Sequence, residues 1–190
     1  MIERCGWHNN DILMTDYHDV EWGVPLHDDN KLFEFIILDA FQAGLNWATI
    51  LKKRENFRRA FDGFNPEKIA SYDEKKFAEL MNDAGIIRNR MKIAATIKNA
   101  QAFLEVKKEF GTFDKFIWQF TKNKTIINKW KTLDEVPPSS EISDKMSAEL
   151  KKWGFSFVGT TICYAFMQAA GMVNDHLTAC YRYKELKEMK

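Results

Sequence analysis

Four residues of this chain carry the donor types of a tetrahedral zinc site: the thiols of Cys5 and Cys180 and the imidazoles of His18 and His176. Cys5 and His18 lie near the start of the sequence. His176 and Cys180 lie near its end, at a spacing that puts both on one face of a helix. A site with four protein ligands is closed and structural, and this one would tie the chain ends together. Cys5 and His18 do not have the spacing of a standard finger pair. The alternative is two unrelated pairs packed as ordinary residues. Cys163, inside "TTICYAF", reads as a core thiol.

A second candidate is an acid in an apolar run. In "ILDAFQAGLNW", Asp39 follows Phe35, Ile36, Ile37 and Leu38 and precedes Ala40 and Phe41. A carboxylate there is costly to bury unless a backbone donor, a partner or a ligand compensates it. Asp39, Gln42 and Asn46 recur at helical spacing as a polar stripe, although Asn46 also suits a helix cap. Trp7, Tyr17, Trp22 and Trp47 stand near these two constellations. They form either core or a stacking pocket for a flat ligand.

A third candidate is "KKWGFSFVGTT". Gly154 and Gly159 bracket a short hairpin, and Thr160 and Thr161 open the next helix. Helix–hairpin–helix elements bind phosphate through backbone N–H groups at such a turn, where glycine permits close approach. "LKKREN" with Arg58 and Arg59, and "RNRMK" with Lys98, supply further cations, which by default are solvated helix faces.

The elements that must position these residues read as helices. Asp28 or Asp29 caps one that runs through Leu32, Phe35, Ile36 and Leu38, and Asn46 caps the next. Asn65 with Pro66 starts a short helix, and "DEKKFAELM" gives another. "NRMKIAATIKNAQAFLEVKKEFG" is long and amphipathic and ends at Gly111, and Thr112 caps "FDKFIWQF". Residues 122–139 are irregular. Helices follow in "SDKMSAELKKWG", "TTICYAFMQAAG" and "NDHLTACYRY". Strand-like alternation is nearly absent, so the fold class is all-α.

Composition sets the outer bounds. With 45% hydrophobic and 29% charged residues, the 190-residue chain can build its own core, and disorder is excluded. A net charge of +1 does not by itself announce a nucleic-acid partner, though a local basic face is compatible with it. Three cysteines, an odd number, argue against a secreted disulfide framework. "MIERCGW" has no apolar signal region. The uncharged stretch 154–174 is broken by Gly159, Gly171 and polar residues, so no membrane span is expected. The expected compartment is cytoplasmic.

Taken in order, "RCGW", "YHDVEWGVP", "QAGLNWATILKKRENFRRAF", "DAGIIRNRMKI" and "GFSFVGTTICYAFMQAAGMVNDH" resemble the bacterial 3-methyladenine DNA glycosylase I family over nearly the whole chain. The resemblance implies a helix–hairpin–helix glycosylase fold and one structural zinc on Cys5, His18, His176 and Cys180. It implies one lobe of about residues 66–165 and another of about 1–65 with 166–190. It implies a monomer that acts on alkylated double-stranded DNA without an organic cofactor or a lyase step. It implies an enzyme that flips out 3-methyladenine and hydrolyses its N-glycosidic bond.

By the same resemblance Asp39 is the catalytic acid of the pocket, and Tyr17, Trp47 and Trp7 bind the base. Leu45 wedges into the vacated stack, and the turn at Gly154 and Gly159 holds the DNA backbone. The family pocket usually has glutamate where this chain has Asp39. That departure leaves two alternatives, a zinc-stabilised damage-binding protein and a glycosylase of altered base preference. Asp175 is a second acid, read as a cap or as support for His176.

Overall fold

The computed structural model describes residues 2–9 and 11–189. Its elements in chain order are α1 (Ile12–Val20), α2 (Asp29–Gln42), α3 (Trp47–Ala60), α4 (Pro66–Ala70), α5 (Glu74–Asn82) and α6 (Arg90–Phe110). There follow α7 (Phe113–Trp118), β1 (Ile126–Ile127), α8 (Glu141–Lys152), α9 (Thr160–Ala169), β2 (Val173–Asn174) and α10 (Tyr181–Glu188). The helical class expected from the sequence is present. To it is added one short parallel pairing, Ile126 with Val173 and Ile127 with Asn174.

The middle of the fold is α2. Asp28 rather than Asp29 caps it, accepting from Lys31 N. Leu32, Phe33, Ile36, Ile37, Leu38 and Phe41 are all buried. A helix apolar on every side needs cover on every side, and α3, α6, α7 and α9 supply it. Asn46, Asn65 and Thr112 each cap the helix the sequence assigned to them, and Asn89 caps α6, accepting from Lys92 N. Gly111, with φ +84°, ends α6 in the left-handed region.

Two elements differ from the sequence expectation. The first is α1, which hydrophobic periodicity does not reveal. Its aliphatic residues Ile12, Leu13 and Val20 are exposed, whereas Tyr17 and His18 are buried. Asp11 caps it, accepting from Met14 N. The second is the last helix, which starts at Tyr181 and excludes His176 and Cys180. Those two residues lie on a turn, not on a helix face. Thr178 N donates to Trp130 O, Cys180 N to Leu177 O, and His176 N to Asn174 Oδ1. These bonds hold the chain in a path that helix would abolish.

The connection between α8 and α9 is a tight turn. Gly154 has φ +96° and Phe157 φ +57°. Asn99 on α6 grips it from below: its Nδ2 donates to Ser156 O at 3.0 Å and its Oδ1 accepts from Ser156 N at 2.7 Å. Ser147 Oγ donates to Val158 O at 2.6 Å. No described helix is long and apolar enough to cross a membrane.

Candidate active site

Trp7, Tyr17, Asp39 and Trp47 line one cavity of about 240 Å³. Four elements deliver them. Tyr17 comes from α1, Asp39 from α2, Trp47 opens α3, and Trp7 comes from the segment before α1. The rings meet at angles, not in parallel stacks. Tyr17 and Trp47 are 5.2 Å apart at 49°, and Trp7 and Trp22 are 5.1 Å apart at 75°. Aromatic edges and faces thereby wall a slot suited to a flat ring.

Three buried polar atoms in this wall have no hydrogen-bond partner: Trp7 Nε1, Trp47 Nε1 and Asp39 Oδ2. A polar group buried unpaired costs on the order of 1–3 kcal/mol. Three of them on residues that line one cavity is the pattern of a site whose ligand completes the bonding. Burial pushes the Asp39 carboxyl well above the usual carboxylate range, and the positive charge of Arg54 pulls it partly back. Burial also raises the Tyr17 phenol, with Asp39 adding to the effect, so Tyr17 stays neutral.

Gln42 lines the cavity with Asp39, but Asn46 does not belong to their stripe. Helix α2 ends at Gln42, and the Asn46 side chain caps α3 by accepting from Thr49 N. Asp175 also lines the cavity. Its Oδ1 accepts from Asn128 Nδ2 and Trp130 Nε1, and its Oδ2 from Tyr164 OH and Gln168 Nε2. Those four bonds make Asp175 a tie between the 122–139 connection and α9.

Sequence reasoning missed Met14, Leu133, Val136, Ala165 and Gln168 as cavity residues. Leu133 carried one weak signal: it is a large apolar residue in the segment 122–139 that reads as irregular. Val136, in the same segment, shares that signal; the other three carried none.

Behind the aromatic wall, Cys5, His18, His176 and Cys180 come together, with all four ligand atoms within 4.8 Å of one another. All four residues are buried. The outer nitrogen of each imidazole is already engaged. His18 Nδ1 meets Asp19 Oδ1 at 2.7 Å, and His176 Nε2 meets Trp22 O at 3.0 Å. Arg4 holds Asp19 through Nε and Nη2 and keeps its carboxyl well below the usual range. The inner atom His176 Nδ1 lies 3.4 Å from Cys5 Sγ and 3.6 Å from Cys180 Sγ, and His18 Nε2 lies 3.6 Å from Cys180 Sγ and accepts from Cys5 N at 3.4 Å. Leu177 N donates to Cys5 Sγ. Two sulfurs, two inward imidazole nitrogens and a fixed outer shell fit a metal ion. The cluster also supports the cavity: the Trp22 ring lies 4.5 Å from the His176 ring, and the Trp7 ring 5.3 Å from that of His18.

The remaining predicted residues lie outside the cavity. Leu45 is 42% exposed on the turn between α2 and α3. Gly154 and Gly159 bound the α8–α9 turn, and a Cβ at Gly159 would meet nothing within 4 Å. The basic runs are not simply solvated faces. Arg54 is buried, bonded to Glu34 Oε1 at 2.6 Å and to both Glu21 oxygens. Lys53 Nζ donates to the carbonyls of Ala84 and Gly85, and Lys92 is buried.

Comparison with known proteins places this geometry. The chain is 51% identical over 182 residues to DNA-3-methyladenine glycosylase 1 of Escherichia coli (strain K12), covering 96% of this chain and 97% of that one. A crystal structure of 3-methyladenine DNA glycosylase I superposes with TM-score 0.92 at 49% identity, covering 94% of this chain and 98% of the other. A tyrosine-to-phenylalanine variant of that type of enzyme, solved in complex with 3-methyladenine, superposes with TM-score 0.91 at 32% identity over 94% of this chain and 96% of its own. The family model for methyladenine glycosylase matches residues 7–183. The chain belongs to the methyladenine glycosylase family.

Proposed function

We propose that this protein removes 3-methyladenine from alkylated duplex DNA by hydrolysing the N-glycosidic bond. The observation that carries the reading is the aromatic cavity with its three unpartnered polar atoms, Asp39 Oδ2 among them. The relatives' activity and the bound 3-methyladenine in one of them support it.

Methylation at N3 leaves the base in DNA cationic and weakens its bond to the sugar. When water adds to C1′ and releases a proton to solvent, the C1′–N9 bond breaks and its electron pair neutralises the departing base. The leaving group therefore needs little protonation, and differential binding can carry much of the rate. Asp39 accepts from the base edge, a charged hydrogen bond on the order of 1.5–3 kcal/mol. Trp47 stacks, with Trp7 and Tyr17 closing the slot, and a cationic ring gains about 0.5–2 kcal/mol over a neutral one. Normal adenine gains less from both, and its intact pairing makes extrusion dearer. Leu45 enters the vacated stack. The α8–α9 turn, with Gly154 and Gly159, binds the phosphate backbone through its N–H groups.

The cluster of Cys5, His18, His176 and Cys180 holds zinc. The ion supplies a cross-link between the N-terminal segment and the turn before α10, not chemistry at the base. About residues 66–165 form the lobe with the DNA-binding turn, and about 1–65 with 166–190 form the lobe with the metal. The protein works as a cytoplasmic monomer without an organic cofactor.

Product analysis on dimethyl sulfate-treated duplex tests the reading. The expected products are free 3-methyladenine and an intact strand bearing an abasic site. Borohydride trapping of a protein–DNA adduct would overturn the absence of a lyase step. Binding to damaged duplex with no base released would favour a damage-binding protein.

A further inference from the structure

The turn after α2 is built with unusual care for so short a connection. Ala43 has φ −47° and ψ 117°, Gly44 has φ +77°, and Leu45 N donates to Gln42 O at 2.6 Å. These are the features of a type II turn, whose third residue requires positive φ and hence glycine. On its far side Asn46 Oδ1 accepts from both N and Oγ1 of Thr49 at 2.8 Å. The turn therefore has fixed ends, and its apolar tip, Leu45, is 42% exposed. Its flanks, Gln42 and Trp47, both line the cavity.

Into the inner side of this turn reaches Lys92, the lysine of the "RNRMK" run. It is only 7% exposed. Its Nζ donates to Phe41 O at 2.8 Å and to Ala43 O at 2.6 Å. Lysine is among the residues least often buried, because its charge must be compensated. Here the ammonium binds main-chain carbonyls at the end of α2, where the helix dipole also favours a cation. It bridges the last turn of the helix that carries Asp39 and the turn that carries Leu45.

We propose that Lys92 is a positioning residue for base extrusion: it fixes the Ala43–Leu45 turn relative to the Asp39 helix, so that Leu45 enters the duplex while the base enters the cavity. This rests on the reading of Leu45 as the residue that fills the vacated stack. Lys92 touches neither base nor DNA backbone in this role. Its loss costs the coupling between wedge and pocket, not the pocket.

The test compares Lys92→Met, which keeps the stem and removes the donor, with Leu45→Gly and the double variant. Three probes are used: free 3-methyladenine followed by tryptophan fluorescence, a duplex carrying a tetrahydrofuran abasic analogue, and single-turnover excision from methylated duplex. Lys92→Met is expected to bind free base within about twofold of wild type while excision and abasic-site preference fall about fivefold or more. Leu45→Gly is expected to do the same, and the double variant to lose less than about twofold beyond either single one.

Losses that multiply in the double variant would overturn the proposal. So would equal losses of base binding and excision in Lys92→Met, which mark a merely structural lysine. Normal excision in Lys92→Met beside impaired Leu45→Gly overturns the role of Lys92 and leaves the wedge standing. Normal excision in Leu45→Gly overturns the wedge and the proposal with it. If Lys92→Met does not fold, Lys92→Gln, which keeps one donor, is judged by the same outcomes.

Discussion

Asp39 sits where stability and function conflict. Its folded-state pKa is raised by burial above the unfolded value of about 3.9. Between those two values the folded protein holds a proton that the unfolded chain has lost. Stability therefore falls as pH rises through that window. Asp39→Asn removes the titration. It is expected to melt higher than wild type at pH 8, with the gap closing toward pH 4, while base release falls. Thermal melts across that range check this, and a variant that melts lower at every pH would make Asp39 a structural carboxylate. Asp39 was legible in the sequence because an acid in an apolar run is anomalous by itself. Gln168 and Met14 were not, because nothing in their local sequence distinguishes a cavity wall from a core or a surface. Lys92 was misread as one more surface cation, since charge pattern alone does not reveal that a lysine is buried.

At the scale of elements, capping chemistry carried most of the reading. Asn46, Asn65 and Thr112 mark their helices by local rules that tertiary structure did not override. The segment carrying Tyr17 and His18 escaped because α1 turns its aliphatic residues outward and these two inward. Periodicity detects an apolar face, not a buried tyrosine and histidine. The end of the chain misled in the opposite way, since a four-residue spacing suits a helix and a ligand-bearing turn equally. The α8–α9 turn owes its shape to Asn99, which no local signal links to Ser156. Asn99→Ala leaves both Ser156 backbone groups unpaired, at on the order of 1–3 kcal/mol. It is expected to weaken binding to damaged and undamaged duplex by similar factors and to leave affinity for free 3-methyladenine unchanged. Filter binding beside fluorescence titration measures both; a loss of base affinity instead would place the role of Asn99 in the cavity.

Across the whole molecule, the Cys/His cluster and the aromatic cavity share a wall. Trp7 and Trp22 contact the cluster's histidines on one side and line the cavity on the other. Metal analysis of untagged protein is expected to find about one zinc per chain. Chelation is expected to lower both the melting temperature and the affinity for 3-methyladenine. Stability lost without base affinity would separate the two sites. The proposed function requires that Asp39, a shorter acid than the glutamate the family resemblance implies there, still drives excision. Single-turnover release of 3-methyladenine from methylated duplex tests it directly, with wild type, Asp39→Asn and Asp39→Glu compared at matched DNA occupancy. The expected result is ready release by wild type, at least about a tenfold slower rate for Asp39→Asn, and duplex binding within about twofold throughout. Equal release by wild type and Asp39→Asn, or release only when glutamate is installed, would contradict it.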